Sequence, residues 1–237
     1  VSTLNLAHMV PSSAVWAGPE RDDHFGAPPL LYGRTEGSTP FRFSLHVGDV
    51  GHTLVVGPTG AGKSVLLALM ALQFRRYARS QVFAFDFGGS IRACALAMQG
   101  DWHDLGGELT DASETSVSLQ PLARIHETAE RAWAADWIVA ILTRENIQIT
   151  PEVKEHIWTA LTSLASAPVG ERTITGLAVL LQSNDLKQAL RAYCVGGPYG
   201  RLLDAETEHL GSADVQAFEI EGLVGTGAAP AVLSYLF

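Results

Sequence analysis

Residues His52 to Phe74 read HTLVVGPTGAGKSVLLALMALQF: a β-branched apolar run, a glycine-rich turn and an apolar run of helix formers, one directly after another. The middle eight, Gly57 to Ser64, match G-x-x-x-x-G-K-S in full, between the apolar strand and the helix that this motif requires. Gly57, Gly60 and Gly62 let the backbone turn its N–H groups inward, and with the helix N-terminus these donors form a concave site for an anion. Lys63 is expected to reach the β- and γ-phosphates as a point charge, and Ser64 to set its hydroxyl on Mg²⁺. Pro58, Thr59, Ala61 and Val65 complete the expected nucleotide-contacting segment, so ATP with Mg²⁺ is the expected cofactor.

The flanks extend the pattern. HTLVVG is expected as a buried parallel strand, and SVLLALMALQF, apolar nearly all round, as a buried helix. Arg75, Arg76 and Arg79 near its end fit a role in solvation and in offsetting the helix dipole better than one in holding DNA. Upstream, Val1 to Pro40 is rich in Pro, Gly and Ser and is expected to be an irregular lead-in, followed by an alternating strand FRFSLHV at Phe41 to Val47. Downstream, QVFAFD ends in Asp86 and the glycine turn Phe87-Gly88-Gly89-Ser90, after which IRACALAM starts a second helix. WHDLG and SVSLQPL are short strand candidates. Strand, loop and helix thus alternate, the signature of an α/β fold with a parallel sheet.

After Pro121 the apolar spacing becomes helical: Trp133, Trp137 and Ile141 share one face, and Val153, Ile157, Leu161 and Leu164 another. Thr150 is placed as an N-cap with Pro151 in the first turn. Further helices are expected at Thr175 to Gln182 and at Asp185 to Cys194, the latter stopped by Gly196-Gly197-Pro198. A strand at Val215 to Leu223 and a tail helix from about Ala229 follow. The expected organisation is a lead-in at 1–40, an α/β core at 41–122 and 212–237, and an inserted all-helical lobe at 123–211. The tryptophan stripe reads as core of that lobe rather than as a platform for stacking bases.

The net charge is −9 and unevenly placed, with 8 basic and 6 acidic residues up to Arg92 and 8 basic and 19 acidic beyond it. This is a poor footprint for general nucleic-acid binding, although a localised basic loop or pore stays open. No uninterrupted apolar stretch of 18 residues or more occurs. Cys94 and Cys194, far apart, are expected to be buried thiols without a metal or redox role. The start at Val1 and the finish inside the apolar run AAPAVLSYLF suggest an excised fragment.

Turnover of ATP needs a carboxylate for Mg²⁺ and usually a second to orient water, typically an apolar run ending in Asp-Glu. No Asp-Glu pair occurs. Asp86 in VFAFD is the nearest candidate, either as a catalytic nucleotide-site residue or as the cap of its own turn. Glu219 and Glu221 in FEIEG come next. His46, Asp49 and His52 have metal-compatible types, but Gly48 and Gly51 favour a shaped turn. Arg201, in the connector GGPYGRLLD, is either solvated or a finger acting across a subunit interface.

Several blocks, in order, resemble the TrbE-type conjugal transfer ATPases of the CagE, TrbE and VirB family: HVGDVGHTLVVGPTGAGKSVLLALMALQFRRY, QVFAFD-x-GGS, ERAWAADWI, YCVGGPYGRLLDAE and VLSYLF. The resemblance implies a RecA-like P-loop NTPase core with an inserted all-helical lobe. It implies an ATPase that is homo-oligomeric, a hexamer being one candidate form, at the cytoplasmic face of the bacterial inner membrane. There such proteins, with channel and coupling proteins as partners, power pilus assembly and transfer of DNA or protein. It also implies a Walker B block, an apolar run followed by Asp-Glu-Ala-Trp, shortly after Phe237. The chain departs from the family at Phe87, where Lys or Arg is commoner, and in the Gly- and Ala-rich stretch from Leu223 to Ala231. Two readings follow: an energy-transducing ATPase fragment, or a nucleotide-gated module whose acidic helical lobe docks a channel protein.

Overall fold

The computed structural model describes residues 2–5, 16–106 and 117–237. The chain divides into two compact units, Val1–Val82 and Phe83–Phe237.

In the first unit, β1 (Leu31–Arg34) and β2 (Pro40–Phe43) form an antiparallel hairpin in the register Leu31↔Phe43 to Arg34↔Pro40. The lead-in is therefore not wholly irregular, and the strand expected at Phe41 to Val47 is shorter. The reason is the turn between them: Ser38 takes a left-handed φ of 60°, and its N–H donates to Thr35 O at 2.9 Å, reversing the chain. After Phe43 the backbone leaves the ladder and turns again at Gly48 (φ 61°), where Val47 and Val50 exchange backbone hydrogen bonds.

Helix α1 (Lys63–Phe74) forms as its Leu- and Ala-rich sequence dictates. The lead-in packs on its C-terminal end. The Arg76 guanidinium donates to Leu30 O at 2.7 Å, Tyr77 Oη donates to Pro28 O at 2.8 Å, and Phe25 stacks on Tyr77 with ring centroids 4.9 Å apart. Arg76 thus ties chain to chain, beyond the dipole role expected of it.

Two expectations fail in this unit. His52–Gly57 is in no strand, because a strand exists only with a ladder partner and none of the described residues supplies one. Nor is α1 buried: Met70 is its one buried residue, while Val65, Leu67 and Leu72, together with Leu54 (86% exposed) and Val56 (81%), face outward.

The second unit is mixed α/β. Its three-stranded sheet has the order β3-β5-β4, from β3 (Val82–Asp86), β4 (Asp101–Asp104) and β5 (Val215–Glu219). β4 and β5 pair in parallel from Asp101↔Gln216 to Asp104↔Glu219. Helix α2 (Arg92–Ala97) lies between β3 and β4 in sequence, and β5, in the middle of the sheet, is buried along its whole length. The strand expected in WHDLG forms one residue earlier, at Asp101–Asp104. In SVSLQPL the described residues form no strand: Leu119 N–H donates to Leu202 O and Ala205 N–H to Leu119 O, so this backbone pairs with the glycine connector instead.

The remaining helices are α3 (Thr128–Arg144), α4 (Pro151–Leu164), α5 (Ile174–Leu180), α6 (Asn184–Leu190), α7 (Gly200–Leu203) and α8 (Ala229–Leu236). Thr150 caps α4 as expected, its hydroxyl accepting from Val153 N–H at 3.3 Å. Trp137, Ile138, Ile141 and Leu142 of α3 join Ile157, Leu161 and Leu164 of α4 in a core continuous with Phe218 and Val232. Each such side chain contributes about 1.5–3 kcal/mol on burial. Cys94 and Cys194 form no disulfide and are only half-buried; desolvation raises the pKa of both. Among the described residues no helix is long and apolar enough to cross a membrane.

Candidate functional site

The phosphate-loop candidate runs from Gly57 to Val65 in the first unit. Gly60 (φ 82°) and Gly62 (φ 83°) adopt left-handed backbone, and a Cβ at either would meet nothing within 4 Å, so it is the backbone conformation and not crowding that calls for glycine here. Gly62 is the N-cap of α1 and offers no side-chain acceptor, and no acidic residue sits in the first turn. The first N–H groups of the helix are therefore left for an anion, on the positive end of the dipole.

Lys63 curls back over the loop, its Nζ donating to Gly57 O at 2.9 Å and to Pro58 O at 2.8 Å. Those carbonyls hold the ammonium over the turn. Ala61 N–H donates to Pro58 O and Leu66 N–H to Gly62 O, which closes the turn and starts the helix. Ser64 and Val65 are exposed in the first turn, and Thr59 on the loop is exposed as well. Lys63, held by two carbonyls, and the exposed Ser64 are the side chains at this loop that could hold an anion and its cation.

Asp86 belongs to the second unit, where it caps its own turn. Its carboxylate accepts from Ser90 Oγ and from Ile91 N–H, both at 2.8 Å. Gly88 (φ 77°) and Gly89 (φ 66°) turn their N–H groups onto the buried carboxylate of Glu219, which also accepts from Glu221 N–H at 2.9 Å. The Asp86–Ser90 turn and the end of β5 are thereby one hydrogen-bonded unit. Sequence reasoning placed Glu219 among weak catalytic candidates and missed this tie, for which the paired glycines were the one local signal.

His46, Asp49 and His52 gather no metal site; among the described residues no group of three or more His, Cys, Asp or Glu side chains is placed to hold an ion. Asp49 instead pairs with His24 at 3.2 Å, and the rings of His24 and His46 stack with centroids 4.2 Å apart. A Cβ at Gly51 would fall 2.4 Å from His46 Nε2, so this glycine makes room for the imidazole.

No family model matches the chain. Over its full length it is 43% identical to a probable conjugal transfer protein TrbE of Sinorhizobium fredii, covering 36% of that protein. It is 41% identical to the conjugal transfer protein TrbE of Rhizobium radiobacter, covering 29% of it. The chain belongs to the TrbE family. It spans about a third of the length of these curated relatives. Among solved structures, VirB4 of Thermoanaerobacter pseudethanolicus superposes with a TM-score of 0.61 at 13% identity, over 88% of this chain and 61% of that one, so the two share a fold.

In this TrbE-family chain three of the blocks quoted above meet in one core. ERAWAADWI lies in α3 and VLSYLF in α8, and Trp137 Nε1 donates to Ala231 O at 3.0 Å. The block YCVGGPYGRLLDAE is held by Asp204, whose buried carboxylate accepts from Thr175 N–H (2.9 Å), Thr175 Oγ1 and Val195 N–H (2.7 Å). A Cβ at Gly200 would lie 1.9 Å from Cys194 O, so only glycine fits that bend.

Proposed function

We propose that this chain is the ATP-binding part of a motor in conjugative type IV secretion, a RecA-like core carrying a helical lobe at 123–211. The observation that carries this reading is the complete loop from Gly57 to Ser64 running directly into α1, in a chain of the TrbE family. Gly60 and Gly62 aim backbone donors at the phosphates, and Lys63 exchanges Gly57 O and Pro58 O for phosphate oxygens. Ser64 offers its hydroxyl to Mg²⁺. Bound ATP supplies the phosphoanhydride whose cleavage does work; the chain's own part is to grip, orient and neutralise.

The wider setting belongs to the same proposal: a homo-oligomer at the cytoplasmic face of the inner membrane, working with channel and coupling proteins to assemble a pilus and move DNA or protein. Direct DNA binding has little support from a net charge of −9. The second reading, a nucleotide-gated docking module, is favoured by one feature: no Asp-Glu pair occurs, Asp86 is engaged by its own turn and Glu219 by the Gly88–Gly89 backbone. Steady-state ATP hydrolysis, measured on this chain and on one extended to the relatives' length, tests the pair of readings. Turnover confined to the longer chain, and lost there with Lys63→Ala, supports the motor. Equal turnover in both overturns the assignment of the catalytic carboxylate.

A further inference from the structure

The helical part of the second unit carries a cleft of about 600 Å³ between the end of α4, one side of α5 and the glycine connector. Its apolar wall includes Val179 and Val195, 71% and 73% exposed, and Leu180. Single exposed apolar residues are ordinary, but here they line one concavity of a size that takes ligand or peptide side chains. A second cleft of about 430 Å³, against the outer face of α4, shares Ser163 and Leu180 with the first, so the two are continuous.

Apart from His156, the charged side chains that line this surface are acidic. Glu171 and Glu206 edge the first cleft and Glu152 and Glu155 the second, all four exposed, and neither lining includes a lysine or arginine. Arg172, next in sequence to Glu171, does not neutralise it. Its guanidinium donates to Ala167 O at 3.0 Å and to Ala123 O at 2.9 Å, and it lies against His126. Four carboxylates spread along these two clefts, the first mainly apolar and the second mainly polar, repel phosphates, which argues against a nucleotide or nucleic acid. They do not converge to hold a metal ion.

The trough is also built in advance. Asp204, buried behind it, pins Thr175 and Val195 together through the hydrogen bonds given above, so the walls from α5 and from the connector are fixed before anything binds. A preformed site spares its ligand the cost of ordering it.

We propose that this trough docks a short segment of another protein chain, one or two apolar side chains flanked by lysine or arginine. The apolar tips enter the cleft at Val179, Leu180 and Val195, and the cations meet Glu155 and Glu206. This surface stands apart from the phosphate loop, and the proposal does not rest on nucleotide binding.

The test uses a fluorescein-labelled peptide of lysines and leucines spaced by serines, followed by fluorescence anisotropy, with amide chemical shifts as a map. The probe is expected to bind and to shift Gly176, Val179 and Val195 before residues elsewhere. The double variant Glu155→Gln, Glu206→Gln is expected to weaken it roughly five-fold. Val179→Ser is expected to weaken it on the order of ten-fold. Glu20→Gln with Glu36→Gln, exposed in the first unit, is expected to change nothing. Lys63→Ala should bind the probe as the parent chain does, so failure of the nucleotide reading and failure of this one are separable. Four results overturn the proposal: no binding, equal loss in the two double variants, equal binding of a probe with serine for leucine, or shifts away from the trough. Unchanged melting of each variant confirms that folding is not what is being read.

Discussion

Replacing Asp204 with alanine takes one buried acceptor away from three donors: Thr175 N–H, the Thr175 hydroxyl and Val195 N–H. A hydrogen bond to a charged group contributes about 1.5–3 kcal/mol, but these three do not add, because one of them has an alternative. Val195 N–H also lies 3.0 Å from Thr175 Oγ1, so it keeps an acceptor. What is orphaned is the Thr175 N–H in the first turn of α5, together with the anchor of the connector. The loss expected for Asp204→Ala is about 3 kcal/mol, near the upper range for a single buried network. Asp204→Asn keeps one oxygen for Thr175 N–H and should lose only about 1 kcal/mol. Urea unfolding followed by tryptophan fluorescence reads this well, since Trp133, Trp137 and Trp158 all lie in the same unit as Asp204. With slopes of about 1–3 kcal/mol per molar urea, the alanine variant's midpoint should fall by about 1–3 M. A fall equivalent to less than about 1 kcal/mol, or an asparagine variant as damaged as the alanine one, would refute the network as drawn.

Three further outcomes follow from the same core. Tyr193 Oη donates to Glu145 Oε1 at 3.1 Å, and burial, then that carboxylate, push its pKa up to about 12. The folded state thus keeps the phenol protonated; the stability it contributes is whole below the unfolded value of about 10 and is lost as pH rises from there through the folded value. Urea midpoints should drop over that alkaline window, and Tyr193→Phe should flatten part of the drop, with Tyr235, raised by burial and Glu208, accounting for more of it. Trp137→Phe removes one of two side-chain donors to the carbonyl of buried Ala231, which keeps the Ser234 hydroxyl, and should cost about 1 kcal/mol by the same unfolding assay. Thr150→Ala removes the cap of α4 and should cost about 1 kcal/mol, with a matching rise in amide exchange at Val153.

The features legible in the sequence are those whose physics is local. Thr150-Pro151-Glu152 announces a helix start because capping involves only residues within one turn, and α4 begins there. The glycine pattern of Gly57 to Ser64 fixes a turn that needs left-handed backbone at Gly60 and Gly62, and the turn forms. The helical spacing of Trp137, Ile141, Ile157 and Leu161 put each of them in the core. Burial and pairing with distant chain were less legible. HTLVVG has the composition of a buried strand, but burial is a relation to whatever covers the residue, and Leu54 and Val56 stay exposed. The Gly88–Gly89 turn looked like a loop with Asp86 at its edge; its partner, Glu219, lies 130 residues on, beyond any local pattern. SVSLQPL is a strand candidate, yet its backbone hydrogen bonds go to Leu202 in α7 and to Ala205 just after it. The TrbE resemblance, carried by blocks rather than by periodicity, agrees with the 43% and 41% identical relatives.

The central claim is that Gly57 to Ser64 grips a nucleoside triphosphate, and calorimetric titration of ATP with Mg²⁺ into the parent chain and into Lys63→Ala tests it most directly. The ammonium now held by Gly57 O and Pro58 O is the group assigned to the phosphates. Removing it forfeits charge-assisted contacts of about 3 kcal/mol together, on the order of 100-fold in affinity. Saturable binding by the parent chain and its loss by that factor in the variant, with the urea midpoint unmoved, is the predicted result; equal affinity in the two would contradict it.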